Sequence, residues 1–249
     1  MTAQYRPSGT TGWSDTTANQ FLVAAPADHS DDGVHSYQYR AIDNAGFASS
    51  IGTCTVKIDT TGPTVTDNAP SGWEKSDATV TLLASDSGCG VAKTQYRLTG
   101  SSTWLDTTAN QFVTAAPASH TNDGTHSYQY QALDNVGNMS AIDTCTVSID
   151  TTGPTTAGKA ISGKKSHAVN LKYRITDKLS PKATAVTLTI KNAKGKLSKS
   201  FKLGTKATNV WLSVKWTPKA KGIYKYSITA KDLAGNKQIK ALSAKITVK

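Results

Sequence analysis

The sequence predicts an all-β protein built from β-sandwiches in tandem, and three observations lead to this prediction. A block of residues occurs twice at a fixed interval, which indicates a repeated structural module. Apolar and polar residues alternate over short segments, as expected for half-buried strands. Clusters of Gly, Asn and Asp separate these segments and are typical of turns between antiparallel strands.

The repeat has a period of 91 residues, because "IDTTGPT" occurs at Ile58–Thr64 and again at Ile149–Thr155. Residues 3–64 align without a gap on residues 94–155, and 41 of these 62 positions are identical. A chain of 249 residues is long enough for two or three domains, each with its own core. We therefore predict an N-terminally truncated copy at 1–64, a complete copy at 65–155 and a third domain at 156–249.

The first copy is expected to be incomplete. Residues 65–93, which begin the complete copy, have no counterpart before Met1. The first copy would therefore lack two strands and leave an open sheet edge, which another chain could complete by donating a strand. We expect residues 1–64 to be the least stable part of the chain.

Strands in the complete copy follow from alternation with a period of two. In "HSYQYQALD" the inward set is Tyr128, Tyr130 and Ala132, with Ser127, Gln129 and Gln131 outward, and in "CTVSID" the inward set is Cys145, Val147 and Ile149. Further strands are predicted at Thr79–Ser85, Val91–Leu98, Thr103–Asp106 and Gln111–Ala115. About seven short strands in roughly 90 residues are typical of an immunoglobulin-like sandwich. The predicted fold is therefore a series of immunoglobulin-like β-sandwiches in a beads-on-a-string arrangement, with "IDTTGPT" as the hinge between neighbours and Pro63 and Pro154 stiffening it.

Turn residues support the same topology. The segments "DSGCG", "TGSS", "TNDG" and "DNVGN" contain residues that accept left-handed dihedrals or close Asx turns. Asp134 and Asp232, each before a "GN" turn, are expected to close such turns rather than to transfer protons. Tyr224 lies two residues after a glycine at the start of a strand, and is therefore a candidate for a tyrosine corner.

The third domain repeats the alternation with different residues. Its inward positions are predicted to be Val169, Leu171, Tyr173 and Ile175; Val186, Leu188 and Ile190; Leu212, Val214 and Trp216; and Tyr224, Tyr226 and Ile228. The segment "GIYKYSITAKDLAGN" is a variant of "GTHSYQYQALDNVGN" in the complete repeat. The same strand and the turn after it are therefore expected in both.

Charge separates the third domain from the repeats. Residues 1–155 contain 6 Lys and Arg against 15 Asp and Glu, while residues 156–249 contain 22 against 2. Basic residues on the outward side of the predicted strands are the candidates for contact with a polyanion: Lys172, Arg174, Lys191, Lys202, Lys215, Lys225 and Lys231. Such a surface suits an anionic cell-wall polymer, a membrane surface or a glycan. The alternative is a solvated surface that only promotes solubility.

Nucleic-acid binding and membrane insertion have little support in the sequence. Of the aromatic residues in the third domain, only Trp211 has outward parity, so a stacking platform for single strands is not evident. No apolar run approaches the roughly 20 residues of a membrane helix, and the first residues do not resemble a signal peptide.

The sequence offers no catalytic constellation, and we predict no catalytic, cofactor-binding or metal-binding residues. A zinc site with His120, His126 and Asp123 is conceivable, but solvated or structural histidines are the commoner case. "DHSDDG" at Asp28–Gly33 resembles a calcium loop, yet the second copy reads "SHTNDG" and has lost two carboxylates, which favours a polar turn. Trp13 and Trp104, equivalent in the two copies, are candidate ligand contacts, with packing across the sandwich as the alternative.

Several segments resemble a known family. "APSGWEKSDATVTLLASDSGCGVAKTQYRL", "DGTHSYQYQALDNVGNMS" and "VSIDTTGPT" resemble the immunoglobulin-like repeats found in tandem in bacterial secreted and cell-surface proteins. "VTLTIKNAKGKLSKSFKLG" and "VKWTPKAKGIYKYSITAKDLAGN" are similar to the immunoglobulin-like domain of the flagellar hook-capping protein. The resemblance implies an extracellular, non-enzymatic spacer, stalk or adhesive region. A carbohydrate- or protein-binding module and an accessory region of a larger secreted enzyme are the alternatives.

The three cysteines are considered against this topology. Cys54 and Cys145 are equivalent positions, whereas Cys89 has no equivalent in the first copy. In an immunoglobulin-like topology Cys89 and Cys145 lie at the same end of the sandwich, and the extracellular location implied by the resemblance would permit a Cys89–Cys145 disulfide. The alternative is that all three are small buried thiols.

Overall fold

The computed structural model describes residues 1–249 and contains 21 β-strands and no helix. The predicted all-β class of tandem immunoglobulin-like sandwiches is therefore confirmed. No helical segment with the length and hydropathy of a membrane span is present. The chain divides into two compact units, one of Met1–Asp67, Leu82–Asn110 and Gln129–Thr144, the other of Asn68–Thr81, Gln111–Tyr128 and Cys145–Lys249. The domain borders derived from the repeat stay a prediction.

The first strands form one antiparallel sheet. They are β1 (Thr2–Pro7), β2 (Ser14–Asp15), β3 (Gly33–Ile42) and β4 (Gly52–Ile58), in the order β2-β1-β3-β4. The rings of Tyr5 and Phe21 stack with centroids 4.4 Å apart, and Phe21 also meets Tyr37 at 5.0 Å. No residue before Pro63 is fully buried, because this sheet has an uncovered face. Tyr39, whose equivalent in the second copy is the buried Tyr130, is 48% exposed.

The second copy contributes eight strands to two sheets. They are β5 (Thr64–Asp67), β6 (Trp73–Glu74), β7 (Ala78–Ser85), β8 (Val91–Leu98), β9 (Leu105–Asp106), β10 (Gln111–Thr114), β11 (Gly124–Asp134) and β12 (Asp143–Ile149). The sheet orders are β10-β7-β5 and β6-β12-β11-β8-β9. Strands predicted from alternation thus occur at β7, β8, β11 and β12. The short strand β6 pairs with β12 in parallel.

Alternation places the predicted side chains in the core. Tyr128, Tyr130 and Ala132 are buried, as are the inward residues of β12. Gln131, predicted on the polar side of β11, is also buried, being only 5% exposed. Its side-chain amide donates a hydrogen bond to Gln95 Oε1 at 3.0 Å, which satisfies the buried polar group.

The last nine strands form a sandwich with its own core. They are β13 (Thr155–Gly158), β14 (Ile161–Gly163), β15 (Val169–Thr176), β16 (Lys182–Asn192), β17 (Leu197–Ala207), β18 (Trp211–Trp216), β19 (Gly222–Lys231), β20 (Lys240–Ala241) and β21 (Ser243–Val248). Their sheet orders are β18-β15-β13-β20 and β14-β21-β19-β16-β17. The predicted inward residues fill this core, with Leu212 and Val214 packed against it while only half-buried.

Two tyrosines of β19 connect this core to the backbone. Tyr224 donates a hydrogen bond of 3.1 Å from its hydroxyl to Ala220 O, four residues upstream, which confirms the predicted tyrosine corner. Tyr226 is fully buried, and its hydroxyl lies 2.6 Å from Lys172 O and 2.8 Å from Lys159 O. Gly158 permits this approach, because a Cβ there would lie 2.9 Å from the Tyr226 ring.

Candidate metal centre

The repeated heptapeptide is held by the same hydrogen bonds in both copies. In the first copy Asp32 Oδ1 accepts from Thr60 N and Oγ1, at 2.9 and 2.7 Å, and Asp32 Oδ2 accepts from Thr61 Oγ1 at 2.6 Å. In the second copy Asp123 makes the corresponding three bonds, to Thr151 and to Thr152. The two threonines of "IDTTGPT" therefore donate hydrogen bonds to an aspartate in the preceding loop.

The glycine and proline of the heptapeptide are packed rather than free. Pro63, Gly153 and Pro154 are buried. A Cβ at Gly153 would lie 2.0 Å from Lys237 O, and a Cβ at Gly62 would lie 2.2 Å from Met139 O. The glycine is required because the backbone of a later turn approaches it too closely for any side chain. The segment is thus a packed connection in this structure, and its role as a hinge stays a prediction.

Three buried carboxylates meet beside this connection in the second compact unit. Asp150 follows β12, Asp177 follows β15 and Asp232 follows β19, and each offers an oxygen within 4.8 Å of the others. Asp150 and Asp232 are 1% exposed, and Asp177 is 7% exposed. Sequence reasoning missed this group, because its members are far apart in the chain and only the β-sheet topology brings the ends of three strands together.

Asp177 and Asp232 are oriented by the turns that they close. Asp177 Oδ1 accepts backbone hydrogen bonds from Leu179 at 3.0 Å and Ser180 at 2.7 Å. Asp232 Oδ1 accepts from Asn236 N at 2.7 Å, while its Oδ2 accepts from Asn236 Nδ2 at 2.8 Å. The Asx turn predicted at Asp134 is confirmed, because its Oδ1 accepts from Val136 N, two residues on, and from two further backbone N–H groups. Asp232 closes its turn through Asn236, four residues on.

The third carboxylate has an unusual proton affinity. Burial raises the pKa of Asp150 from its ordinary 3.8 to about 6, and the charges of Asp232, Asp177 and Asp123 raise it further against the hydrogen bond from Thr152 N. Burial also raises the pKa of Asp232. The remaining contact of the Asp150 carboxylate is with Ser180 Oγ, at 3.3 Å. Charge in this group is therefore poorly compensated by the protein itself.

A related group lies in the first compact unit. Asp59, Cys89 and Asp134 each offer a ligand atom within 4.8 Å of the others. Asp59 and Asp134 occupy positions equivalent to Asp150 and Asp232. Cys89 is equivalent to Ser180, which contacts the Asp150 carboxylate but is not one of the three carboxylate residues. Asp59 Oδ2 accepts a hydrogen bond of 2.6 Å from Cys89 N. This group therefore has two carboxylates and a thiol instead of three carboxylates.

The predicted Cys89–Cys145 disulfide is not formed in the structure. Cys89 lies on the turn before β8, against the carboxylate of Asp59, which raises the pKa of the Cys89 thiol by hydrogen bonding to it. A raised pKa lowers the thiolate fraction that disulfide exchange requires. Cys145 is buried in the core on β12, and Cys54 is half-buried at the equivalent position.

The histidines considered as zinc ligands have separate structural contacts. His120 Nδ1 lies 2.6 Å from Thr151 Oγ1, and His126 Nε2 lies 2.8 Å from Asn122 O. The first copy repeats the His120 contact between His29 and Thr60, at 2.7 Å. Asp123, the third residue of the zinc site considered above, accepts hydrogen bonds from Thr151 and Thr152. These contacts favour a structural role.

The loop that resembles a calcium loop is a polar turn. Asp28 Oδ1 accepts from Ser30 N at 3.2 Å and from Ser30 Oγ at 2.8 Å, which closes an Asx turn. The Ser30 bonds hold the pKa of Asp28 below its ordinary value. Asp32 of the same loop is engaged by Thr60 and Thr61 instead of facing Asp28. The alternative of a polar turn is therefore the one that the geometry supports.

The two candidate tryptophans are covered by arginines. Arg6 and Arg40 lie over the Trp13 ring, 4.4 and 4.2 Å from its centroid, and Arg97 lies 4.3 Å from that of Trp104. Both tryptophans are half-buried. Ligand contact through them stays a prediction, and packing under guanidinium groups is what the geometry shows.

The basic residues of the third domain face outward as predicted. Lys172, Lys191, Lys202, Lys215, Lys225 and Lys231 are exposed, and Arg174 is half-buried with its Nε buried and without an acceptor. None of these lysines takes part in an ion pair. Trp211, the one aromatic residue with outward parity, is 44% exposed under Lys159 Nζ.

Comparison with known proteins supports the fold. No protein-family model matches the sequence, and no curated protein matches it. The three N-terminal domains of the highly immunogenic outer capsid protein of bacteriophage RB49 cover 100% of this chain and 88% of their own, at 9% identity and a TM-score of 0.50. The match to the fibronectin(III)-like modules of Clostridium thermocellum CbhA covers 75% of this chain and 94% of theirs, at 16% identity and a TM-score of 0.38. The match to the chicken CNTN1 FN1-FN3 domains covers 99% of this chain and 91% of theirs, at 14% identity and a TM-score of 0.35. The sheet topology itself shows that the chain has the fold of tandem immunoglobulin-like domains.

Proposed function

We propose that the chain is a non-catalytic spacer or adhesive region of a bacterial extracellular or cell-surface protein. The observation that carries this proposal is the connection after each repeat. The same aspartate, two threonines and glycine are packed in the same way at Asp32–Gly62 and again at Asp123–Gly153. A protein that spaces its ends apart must keep successive modules in defined contact, and a repeated packed connection provides this.

Unfolding under force tests the spacer role. The full chain is attached at residues 1 and 249 and stretched in an optical trap. We expect separate unfolding events for the proposed modules, the 94 residues of 156–249 releasing roughly 300 Å of contour length. A single event that releases the whole chain at once would contradict a modular spacer.

We propose further that the third domain docks to an anionic polymer of the cell envelope. Lys191, Lys225 and Lys245 are direct cross-strand partners on β16, β19 and β21. All three are exposed on the same face. Like charges directly opposite one another destabilise a sheet, so a row of three lysines is costly unless an anionic partner neutralises it. The row therefore supports docking more specifically than the net charge does.

Binding to a poly(glycerol phosphate) polymer tests the docking role. The chain is compared with a variant in which Lys191, Lys225 and Lys245 are replaced by Gln, at low and moderate salt. We expect several-fold weaker binding for this variant, and a fall in affinity of the unaltered chain as salt rises. A matched control replaces Lys172, Lys178 and Lys215, which removes the same charge from other positions.

Two outcomes would contradict the docking proposal. Affinity that does not fall with salt would reject an electrostatic contact. Equal losses in the two triple variants would reject the part of the proposal that places the contact on the lysine row of β16, β19 and β21.

A further inference from the structure

We propose that Asp150, Asp177 and Asp232 form a calcium site. The site would join the segment after β12 to the turns after β15 and β19. This inference does not depend on the proposed function. It assigns a ligand of stated chemistry, a hard divalent cation, to residues that otherwise have only turn-forming roles.

The first argument is uncompensated negative charge. Three carboxylates, all at least nine-tenths buried, lie with oxygens within 4.8 Å of one another. No Lys or Arg forms an ion pair with any of them. Lys178 borders the same cavity, but its side chain is exposed to solvent. Buried carboxylates that are neither paired nor protonated are unstable unless a cation is bound.

The second, independent argument is an oxygen without a partner. Asp177 Oδ2 is buried and accepts no hydrogen bond, although Oδ1 of the same carboxylate accepts two. Native structures rarely leave a buried polar atom unsatisfied, and a bound ion is one of the standard explanations. The carboxylate that bears this oxygen is a member of the three-carboxylate group. A bound cation would satisfy it.

The chemistry of the ligands selects calcium. All three are carboxylate oxygens, which suit hard cations rather than zinc or copper. Magnesium retains several waters and requires near-ideal octahedral geometry, whereas calcium accepts carboxylates in flexible arrangements. A group with three protein carboxylates, each fixed by its own turn, matches calcium better.

The cation has a route to the site. A cavity of about 450 Å³ borders Asp150 and Asp177 and is also lined by Asp123, His120 and Thr152. Asp123 and Asp150 make its wall acidic, which attracts a cation from solvent. Binding would connect three segments that are remote in sequence, so the measurable effect is stabilisation of the connection.

Calcium titration of the full chain, first treated with a chelator, tests the proposal. Calorimetry should show one site with a Kd of about 1 mM or tighter, the range of extracellular calcium modules. Thermal unfolding should shift upward with calcium. In Asp177→Asn, the amide oxygen can still accept from Leu179 and Ser180, while the amide nitrogen replaces the oxygen without a partner. Its calcium affinity should fall at least about tenfold.

The metal-free state of this variant distinguishes a cation site from a structural role. Asp177→Asn removes one of three mutually repelling charges, so its melting temperature without calcium should equal or exceed that of the unaltered chain. The control is Asp86→Asn, at the equivalent turn position in the other unit, where Oδ1 also accepts two backbone bonds and Oδ2 is also without a partner. This control should keep its calcium response, because Asp86 does not belong to a group of three carboxylates and an oxygen without a partner is not by itself a site.

Four results would overturn the proposal. They are no calcium heat or melting shift in the unaltered chain, an equal response to magnesium, an unchanged calcium affinity in Asp177→Asn, and a loss in Asp86→Asn as large as that in Asp177→Asn. The first removes the site, the second removes the choice of calcium, and the last two place the binding elsewhere.

Discussion

Asn236 donates a hydrogen bond of 2.6 Å from its side-chain amide to the backbone carbonyl oxygen of Asp150. The same nitrogen also donates to Asp232 Oδ2. Asn138 makes the corresponding bond of 3.0 Å to the carbonyl oxygen of Asp59, and it too donates to the aspartate of its own turn. The asparagine of each "GN" turn therefore connects that turn to the end of an earlier strand.

Removal of this amide should destabilise the second compact unit. Asn236→Ala leaves the buried Asp150 carbonyl without its donor, which should lower the free energy of unfolding by about 1–3 kcal/mol. Urea unfolding followed by tryptophan fluorescence measures the change. Lys237→Ala, an exposed neighbour, is the control and should lie within about 0.5 kcal/mol of the unaltered chain. Equal effects at the two positions would contradict the role given to Asn236.

A methyl group at Gly153 should also destabilise the connection. The added Cβ would lie 2.0 Å from Lys237 O, so one of the two backbone segments would have to shift. We expect Gly153→Ala to lower the free energy of unfolding by at least about 1–3 kcal/mol, the usual range for overpacking. Chemical denaturation checks it. Gly72→Ala is the matched control, because a Cβ there has nothing within 4 Å.

The metal-free protein should lose stability as pH rises from about 4 to about 6. The pKa of Asp150 is about 6 in the folded state, against an ordinary 3.8, so the folded state binds the proton more tightly. In this window the unfolded state binds fewer protons than the folded state, and the free energy of unfolding therefore falls with pH. Beyond about pH 6 the contribution is level.

The variant Asp150→Asn isolates this effect, because other carboxylates such as Asp28 and Asp32 have lowered pKa values and act in the opposite direction. Between pH 4 and 6.5 the stability of the unaltered chain should fall relative to Asp150→Asn by about 1–3 kcal/mol. The charges that face Asp150 are Asp123, Asp177 and Asp232. A constant difference across this range would contradict the assignment.

Residues 1–64 should be the first part of the chain that a protease removes. No residue before Pro63 is fully buried, and the sheet of β1–β4 exposes one face, on which Tyr39 is 48% exposed. Backbone in such a region opens at low free-energy cost. Limited proteolysis with mass spectrometry should locate the early cuts before residue 65. Early cuts within β15–β21 instead, with the first sheet intact, would show that the order of stability is reversed.

Much of the fold could be predicted because the strand signal is local. Tyr128, Tyr130 and Ala132 alternate with polar neighbours, and this pattern alone fixes a strand and its inward face. Asp134 could be assigned to an Asx turn from the "GN" that follows. The burial of Gln131 could not be predicted, because it depends on Gln95 of another strand, whose side chain accepts its hydrogen bond.

The candidate site could not be predicted, because nothing local signals it. Asp150 belongs to a repeated heptapeptide, Asp177 to a turn and Asp232 to another turn, and each has an ordinary explanation by itself. Their proximity depends on three strands ending at the same place. The Cys89–Cys145 disulfide, which the structure does not contain, stays a prediction for a related reason, since sharing one end of a sandwich does not by itself bring two thiols into bonding geometry.

The packed connection also limits how such a chain can grow in evolution. In the first connection its parts come from the two successive periods of the repeat: Asp32, Thr60 and Gly62 from one, and the asparagine turn of Asn138 from the next. Unequal recombination that adds or deletes whole periods leaves each heptapeptide followed by a module that contains the asparagine turn. Exchange with a foreign segment that lacks the asparagine turn would leave one half without its counterpart, so homologous tandem duplication is the route by which this architecture lengthens at least structural cost.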